Sequence, residues 1–325
     1  MNETRDRPVL AIDIGGTKIA AAVVAPAGKV VSKARGETPE SGDERELVDT
    51  VARVSGEALS SIDAQAGDMA ALGVSCAGII NTREGIVVYS PNVAALRRTP
   101  LKAMLGERFG IPVRLGNDAT LAAVGEWCFG LQKSVQDLVY VTVSTGIGGG
   151  IISGGRVLEG ACGAGGEVGH MTIDVNGPSC ACGRHGCWEA LGSGTALATR
   201  TVQRLEEGEP SIIGDLAGGD MAKVDAQVVS IAALQGDALA QEMIRVTAFY
   251  VGVGLGNLIN VFNPSVVVIG GGLTKIGAAL LDPAMATARD RAYVTSACEV
   301  EIVTARLGDE SPLLGAAALV WDMGM

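Results

Sequence analysis

"VLAIDIGGTKIAAAVVAPAGKVV", residues 9–31, decides the fold. It reads as an apolar strand, a glycine turn, a second apolar strand, a Pro-Ala-Gly turn and a third strand. The same pattern returns in "LVYVTVSTGIGGGIISGGRVL", residues 138–158. The two stretches share pattern and little residue identity. A repeated unit of this kind implies two similar halves facing each other across a cleft, with a phosphate chain held between two glycine turns. Glycine in such turns lets backbone N–H groups approach anionic oxygens and permits positive φ.

The chain has 325 residues, enough for a large core or two domains. Apolar residues make up 48% and aromatic ones only 3%, so the core is built from Ala, Val, Ile and Leu, which suits an α/β protein with buried strands. Net charge is −11 and no basic patch stands out, which excludes nucleic acid as a main partner. The opening "MNETRDRPVL" lacks the apolar stretch of a signal peptide, and uninterrupted apolar runs such as "VVVIGGGL" fall far short of a membrane span. The expectation is a soluble cytoplasmic protein with no membrane partner. Of seven cysteines, Cys76, Cys128, Cys162 and Cys298 are scattered, which fits reduced thiols and not a disulfide framework.

Residues 44–62 carry an apolar stripe of Leu47, Val48, Val51, Val54, Leu59 and Ile62 that predicts an amphipathic helix. "LKAMLGERFG" predicts a short helix closed by Gly110. Residues 190–262 read as largely helical and end in a long helix carrying Gly252, Gly254 and Gly256, stopped by Pro264. Each interior glycine costs about 1 kcal/mol against Ala, so three together predict close packing on another element. "SVVVIGGGL" then predicts a buried strand entering a triple-glycine turn.

Neither G-x-x-x-x-G-K-[ST] nor G-x-G-x-x-G occurs. Instead "DIGGTK", "STGIGGG" and "IGGGL" each follow an apolar strand, and Thr17, Lys18 and Thr145 add hydroxyl or ammonium donors. Asp13 ends an otherwise apolar strand. It reads either as a turn cap or as an acid near a phosphate-bound Mg²⁺, acting through water. Asn117–Asp118 precede a helix, as an N-cap does and as a general base at a cleft also would.

"HMTIDVNGPSCACGRHGCWE", residues 170–189, gathers three cysteines and both histidines of the chain. C-x-C-x₄-C supplies three soft ligands, and a tetrahedral structural zinc needs a fourth, from His170 or His185. Glu167 and Glu189 bracket the cluster. Glu167 is the one acid in the otherwise uncharged "GAGGEVG".

"AIDIGGTKIAAAVV", "GNDATLAA", "VSTGIGGGIISGG", "GEVGHMTID", "CACGRHGCWEALGSG" and "NPSVVVIGGG", in that order, resemble the ROK family of sugar kinases and sugar-responsive repressors. The resemblance runs from Val9 to the terminal helix. It implies the actin-like ATPase (ribonuclease H-like) α/β fold, two domains around a cleft. These are a small domain of residues 1–117 joined by helix 311–325, and a large domain of residues 118–310. It implies phosphorylation of a hexose by Mg-ATP, with Asp118 as base on the 6-hydroxyl. Asn117, Glu167, His170 and Glu189 would bind the sugar. His170, Cys180, Cys182 and Cys187 would ligate structural Zn²⁺. Asp13, Gly15, Gly16, Thr17, Lys18, Thr145 and Gly146 would cradle the phosphates, and Gly270, Gly271 and Gly272 would lie against the adenosine. Ser144 stands where the family more often has glycine. Glucose is the first expected sugar, with N-acetylmannosamine, fructose, allose and mannose as alternatives, polyphosphate as an alternative donor, and a homodimer or homotetramer as the assembly. The repressor branch carries a DNA-binding domain before the core. Only eight residues precede the first strand here, so a non-catalytic regulator is the distant alternative.

Overall fold

A computed structural model describes residues 6–161, 163–293 and 300–323; Cys162 and Cys298 of the scattered cysteines lie outside the described residues. Both repeats form the expected three strands: β1 (Val9–Ile14), β2 (Lys18–Ala25) and β3 (Lys29–Glu37), then, after β4 (Leu72–Cys76), β5 (Ile79–Asn81), β6 (Ile86–Tyr89), β7 (Arg97–Thr99) and β8 (Val113–Asn117), the second set β9 (Leu138–Val143), β10 (Ile147–Ser153) and β11 (Arg156–Val157), followed by β12 (Val266–Gly270) and β13 (Glu301–Thr304). Two five-stranded sheets result, in the orders β3-β2-β1-β4-β8 and β11-β10-β9-β12-β13, besides a three-stranded sheet β5-β6-β7. In the first sheet β1 and β2 are antiparallel while β1, β4 and β8 run parallel, and in the second β12 and β13 are parallel.

Period-two alternation sorts β1 and β2 between two faces. Leu10, Ile12, Ile14, Ile19, Ala21 and Val23 pack with helix α1 (Glu44–Ser60). Val9, Ala11, Ala20, Ala22 and Val24 pack with Leu313, Leu314, Ala316, Ala317 and Val320 near the C-terminus. Asp13 belongs by alternation to this second, small-residue face. Helix α1 opens on Asp43, whose carboxylate accepts from Arg45 N at 2.8 Å. It buries Leu47, Val48, Val51, Val54 and Leu59 as the stripe predicts; Ile62 lies just beyond its end and is half-buried. Helix α2 (Leu101–Phe109) ends on Gly110 in the left-handed region, φ 69°.

The chain folds into two compact units, residues 1–140, 150–166 and 305–325, and residues 141–149 and 167–304. The first unit extends past the expected boundary at residue 117, because α3 (Asp118–Gly125) is tied to the C-terminal segment. The buried Glu126 carboxylate accepts from Arg306 N (3.0 Å), Leu307 N (2.8 Å) and the Ser311 hydroxyl (2.7 Å). A buried carboxylate is tolerable only when so satisfied.

The second unit is helical between its strands: α4 (Trp188–Gly192), α5 (Gly194–Glu206), α6 (Ile213–Leu216), α7 (Ala226–Leu234), α8 (Ala238–Phe262) and α9 (Ala278–Arg291). The last helix, α10 (Ser311–Val320), returns to the first unit. α8 is capped by Asp237, which accepts from Ala240 N, and closes on Asn263 in the left-handed region just before Pro264. At 25 residues, with a mean hydropathy of 1.3 over an 18-residue stretch, it is long and apolar enough to cross a membrane, although polar residues interrupt its apolar runs. Its packing explains that composition. A Cβ at Gly252 would strike Ala284 and Thr287 of α9, one at Gly254 would enter the Trp188 ring, and one at Gly256 would press on Ala288 and Arg291.

Candidate active site

In the first unit, the C-terminal ends of β1, β4 and β8 place Asp13, Ser75 and Gly116 in register, with Ile14, Cys76 and Asn117 one step on. Asn117 is the N-cap of α3: its Oδ1 accepts from Thr120 N (3.0 Å) and its Nδ2 donates to Gly78 O (3.0 Å). Asp118 opens the helix, half-buried, where the N-terminal dipole favours a carboxylate. Burial nonetheless pushes its affinity for a proton above the ordinary carboxylate range, against hydrogen bonds from the Ala119 backbone and the Asn117 side chain. Burial also raises Asp13 to about 6; the Ser75 hydroxyl, donating to Asp13 Oδ1 at 2.7 Å, pulls it down, and the charge of Asp118 pushes it up again. A carboxylate at the end of an apolar strand is thus a poised, desolvated group, with one fixed hydroxyl donor.

The β1–β2 turn is closed by Gly15 N donating to Lys18 O (3.0 Å) and held by the Thr38 hydroxyl on Gly15 O (2.7 Å). Gly16 lies so close to Asn92 that no side chain fits there. Thr17 and Lys18 are exposed, and Lys18 Nζ is 3.8 Å from Asp309.

In the second unit three segments converge. The Ser144–Gly146 turn, between β9 and β10, receives Gly194 N on Ser144 O (2.7 Å) and the Thr195 hydroxyl on Thr145 O (2.8 Å). Gly271, at φ 91°, abuts the Val143 backbone, and Gly272 faces Ser144. The Ser144–Gly146 turn, the triple-glycine turn with Gly270 at its start and the N-terminus of α5 therefore lie together, a set of backbone groups and hydroxyls of the kind that can hold an anion.

The cysteine segment makes a compact cluster. The ligand atoms of His170, Cys180, Cys182 and Cys187 all lie within 4.8 Å of one another. His170 Nδ1 is 3.8 Å from Cys180 Sγ, and Cys182 and Cys187 Sγ are 3.6 Å apart. Ligands 2.3 Å from a tetrahedral zinc stand about 3.7 Å from each other, so the set has the size of such a site. His185 is exposed and turned to Ser179, outside the set. Burial and the sulfurs of Cys182 and Cys180 push the Cys187 thiol up to about 12, as happens to crowded thiols until a bound cation displaces their protons.

Glu167 is exposed at the start of a short turn, residues 168–170, that carries His170. Glu189 is half-buried in the first turn of α4, and its Oε2 accepts from Ile147 N at 2.9 Å. Asn117 and Asp118 belong to the first unit, and Glu167, His170 and Glu189 to the second. Two residues of these clusters were not expected from the sequence: Ser75 and Thr195. Ser75 carried a signal, as a polar residue inside the buried run "LGVSC". Thr195 carried none.

The first unit thus carries two carboxylates at its strand ends, Asp13 and Asp118, and the second a glycine turn held by backbone and hydroxyl contacts. The ROK family profile matches residues 9–323, and the chain belongs to the ROK family. It is 35% identical to a glucokinase of Streptomyces coelicolor over 95% of this chain and 96% of that one. It is 33% identical to an N-acetylmannosamine kinase of Escherichia coli O157:H7 over 95% and 97%. Its fold matches a ROK family glucokinase from Streptomyces griseus, solved with glucose and AMPPNP, with TM-score 0.82, 33% identity and coverage of 97% and 99%. The fold is that of the actin-like ATPases, and the chain is an ATP-dependent sugar kinase.

Proposed function

We propose that the chain phosphorylates a hexose, D-glucose first, at the 6-hydroxyl, with Mg-ATP as donor. The observation that carries the reading is Asp118. It is a half-buried carboxylate fixed in the first turn of α3 behind the capping Asn117, and burial makes it more basic than an ordinary aspartate. Phosphoryl transfer needs such a group to orient the acceptor hydroxyl and take its proton.

In this reading Asn117, Glu167, His170 and Glu189 hold the sugar hydroxyls, because a pocket that pairs each hydroxyl rejects sugars that leave a buried partner unmatched, at about 1–3 kcal/mol apiece. Gly15, Gly16, Thr17 and Lys18 take the phosphates from one side, Thr145 and Gly146 from the other, with Gly270, Gly271 and Gly272 against the adenosine. Mg²⁺ bound with the nucleotide would neutralise phosphate charge, with Asp13 reaching it through water. His170, Cys180, Cys182 and Cys187 would hold structural Zn²⁺. With Nδ1 beside Cys180, the His170 ring would be fixed by the metal with Nε2 left toward the sugar. The assembly proposed is a homodimer or homotetramer, and the location the cytoplasm.

Phosphorylation assayed over a panel of hexoses with ATP and polyphosphate tests the proposal. Glucose turnover with ATP above all others supports it, and no hexose-dependent phosphorylation refutes it. The similarity to an N-acetylmannosamine kinase favours that amino sugar as the second reading. Metal analysis tests the zinc: one per chain is expected, and much less with full activity refutes it.

A further inference from the structure

We infer that Glu189 is a positioning residue of the nucleotide turn as well as a sugar ligand, so that one carboxylate joins the two substrate sites. Its Oε2 is bound to Ile147 N (2.9 Å), the first residue of β10 after the Ser144–Gly146 turn. Gly146 lies directly against the same oxygen, and a Cβ there would collide with it. A carboxylate beside a polyphosphate site is electrostatically unfavourable by itself. Its presence, with an oxygen given to the backbone of the turn, points to a mechanical role.

The carboxylate is carried on a rigid base. Cys187 and Trp188, the residues before it, are fully buried. The Trp188 indole N–H donates to Tyr250 O in α8 (2.9 Å), and the ring lies over Gly254. Beyond it, Ser193 N donates to Glu189 O (3.2 Å), and the next two residues reach back to the turn through Gly194 N on Ser144 O and the Thr195 hydroxyl on Thr145 O. The start of α5 thus holds the carbonyls of the turn while Glu189 holds the N–H at its exit. A glutamate has the reach for this and an aspartate, one methylene shorter, does not. A sugar hydroxyl bound by Glu189 therefore fixes the side chain that fixes the phosphate turn. The inference rests on the proposed reading of Ser144–Gly146 as part of the nucleotide cradle.

The experiment is titration calorimetry of a non-hydrolysable ATP analogue with Mg²⁺ against the full chain, comparing Glu189→Asp and Glu189→Gln with the parent, first without sugar. Reach and charge are separated by this pair. Glu189→Asp keeps the charge and loses the hydrogen bond, and should weaken the analogue about tenfold. Glu189→Gln keeps an oxygen within reach of Ile147 N and should bind within about threefold of the parent. Parent-like binding by Glu189→Asp, or equal weakening in both variants, overturns the inference. Thr145→Val is the control for the underlying reading: if it leaves analogue binding unchanged, the turn is not in the cradle and the proposed nucleotide site fails. If it weakens binding while Glu189→Asp does not, only the clamp fails. In turnover, Glu189→Gln should raise the KM for the sugar more than that for ATP, and Glu189→Asp should raise both.

Discussion

The two five-stranded sheets have the same strand order, and each begins with the same three-strand meander, yet their tips carry opposite chemistry. The first ends in carboxylates, Asp13 on β1 and Asp118 just after β8. The second ends in a hydroxyl-and-glycine turn at the corresponding end of β9, and the carboxylate there, Glu189, comes from a helix and is bonded to the backbone. The backbone architecture is duplicated and the site is not. In the function proposed above, one tip holds a proton acceptor and the other an anion.

The sharpest way to break this contrast is to remove the acid from the acidic tip. Asp118→Ala should lower kcat by roughly 10²–10⁴-fold, the usual contribution of a positioned general base. Sugar binding should remain detectable by calorimetry. Turnover near that of the parent would show that the two tips do not differ in the way proposed.

Both units also depend on a helix pair crossed at glycine. α3 meets α10 where a Cβ at Gly315 would strike the Leu121 backbone and one at Gly125 the Ser311 backbone; α8 meets Trp188 at Gly254. Overpacking at such sites costs about 1–3 kcal/mol or more. Gly315→Ala and Gly254→Ala should each lower stability by about 3 kcal/mol in denaturant unfolding, Gly315→Ala acting through the first unit and Gly254→Ala through the second. A change below about 0.5 kcal/mol in either would mean that the pair has slack.

Asp13 sharpens the comparison from the stability side. Its folded pKa of about 6 lies above the value near 3.9 of an unfolded aspartate, so its ionisation opposes folding. At about pH 3 and below the group is mostly protonated in both states and costs almost nothing. As pH rises from about 3 to 7 stability is lost, up to about 3 kcal/mol, and the cost is constant above that. The groups that set it are Ser75 on β4, Asp118 on α3, Lys18 on β2 and Asp309 before α10. Asp13→Asn keeps an acceptor for Ser75 and removes the charge. It should raise stability at pH 8 by up to about 3 kcal/mol, leave it nearly unchanged at pH 3, and impair turnover. The same small change at both pH values would mean that Asp13 is solvated like any surface acid.

Much of this was legible in the sequence because it rests on short-range rules. The glycine turns, the apolar strands and the amphipathic stripe of α1 follow from periodicity and from the backbone freedom of glycine. The choice of His170 over His185 came from family resemblance, and the geometry gathers His170 with the three cysteines while leaving His185 outside. What stayed hidden is long-range. Nothing near Glu126 in the chain announces that its carboxylate ties α3 to Arg306, Leu307 and Ser311, some 180 residues away. Likewise Glu189 reads as a sugar ligand, and its hold on Ile147, 42 residues earlier, is a product of packing. The apolar α8 passes for a membrane span because a helix buried on most sides and one facing lipid have the same composition.

The smallest effect tests whether glycine in these helices is a packing device or only a tolerated residue. Gly56 in α1 has no heavy atom within 4 Å of where a Cβ would stand, unlike Gly252, Gly254, Gly315 and Gly125. Nothing opposes a methyl group there, and alanine loses less backbone entropy on entering a helix. Gly56→Ala should therefore raise stability by about 0.5–1 kcal/mol with kcat and KM unchanged. The same substitution then carries opposite signs in one molecule, stabilising on the helix that covers a sheet and destabilising where helices cross at the backbone. Destabilisation by Gly56→Ala would mean that α1 makes a close approach of its own, and the contrast between covering and crossing helices would be lost.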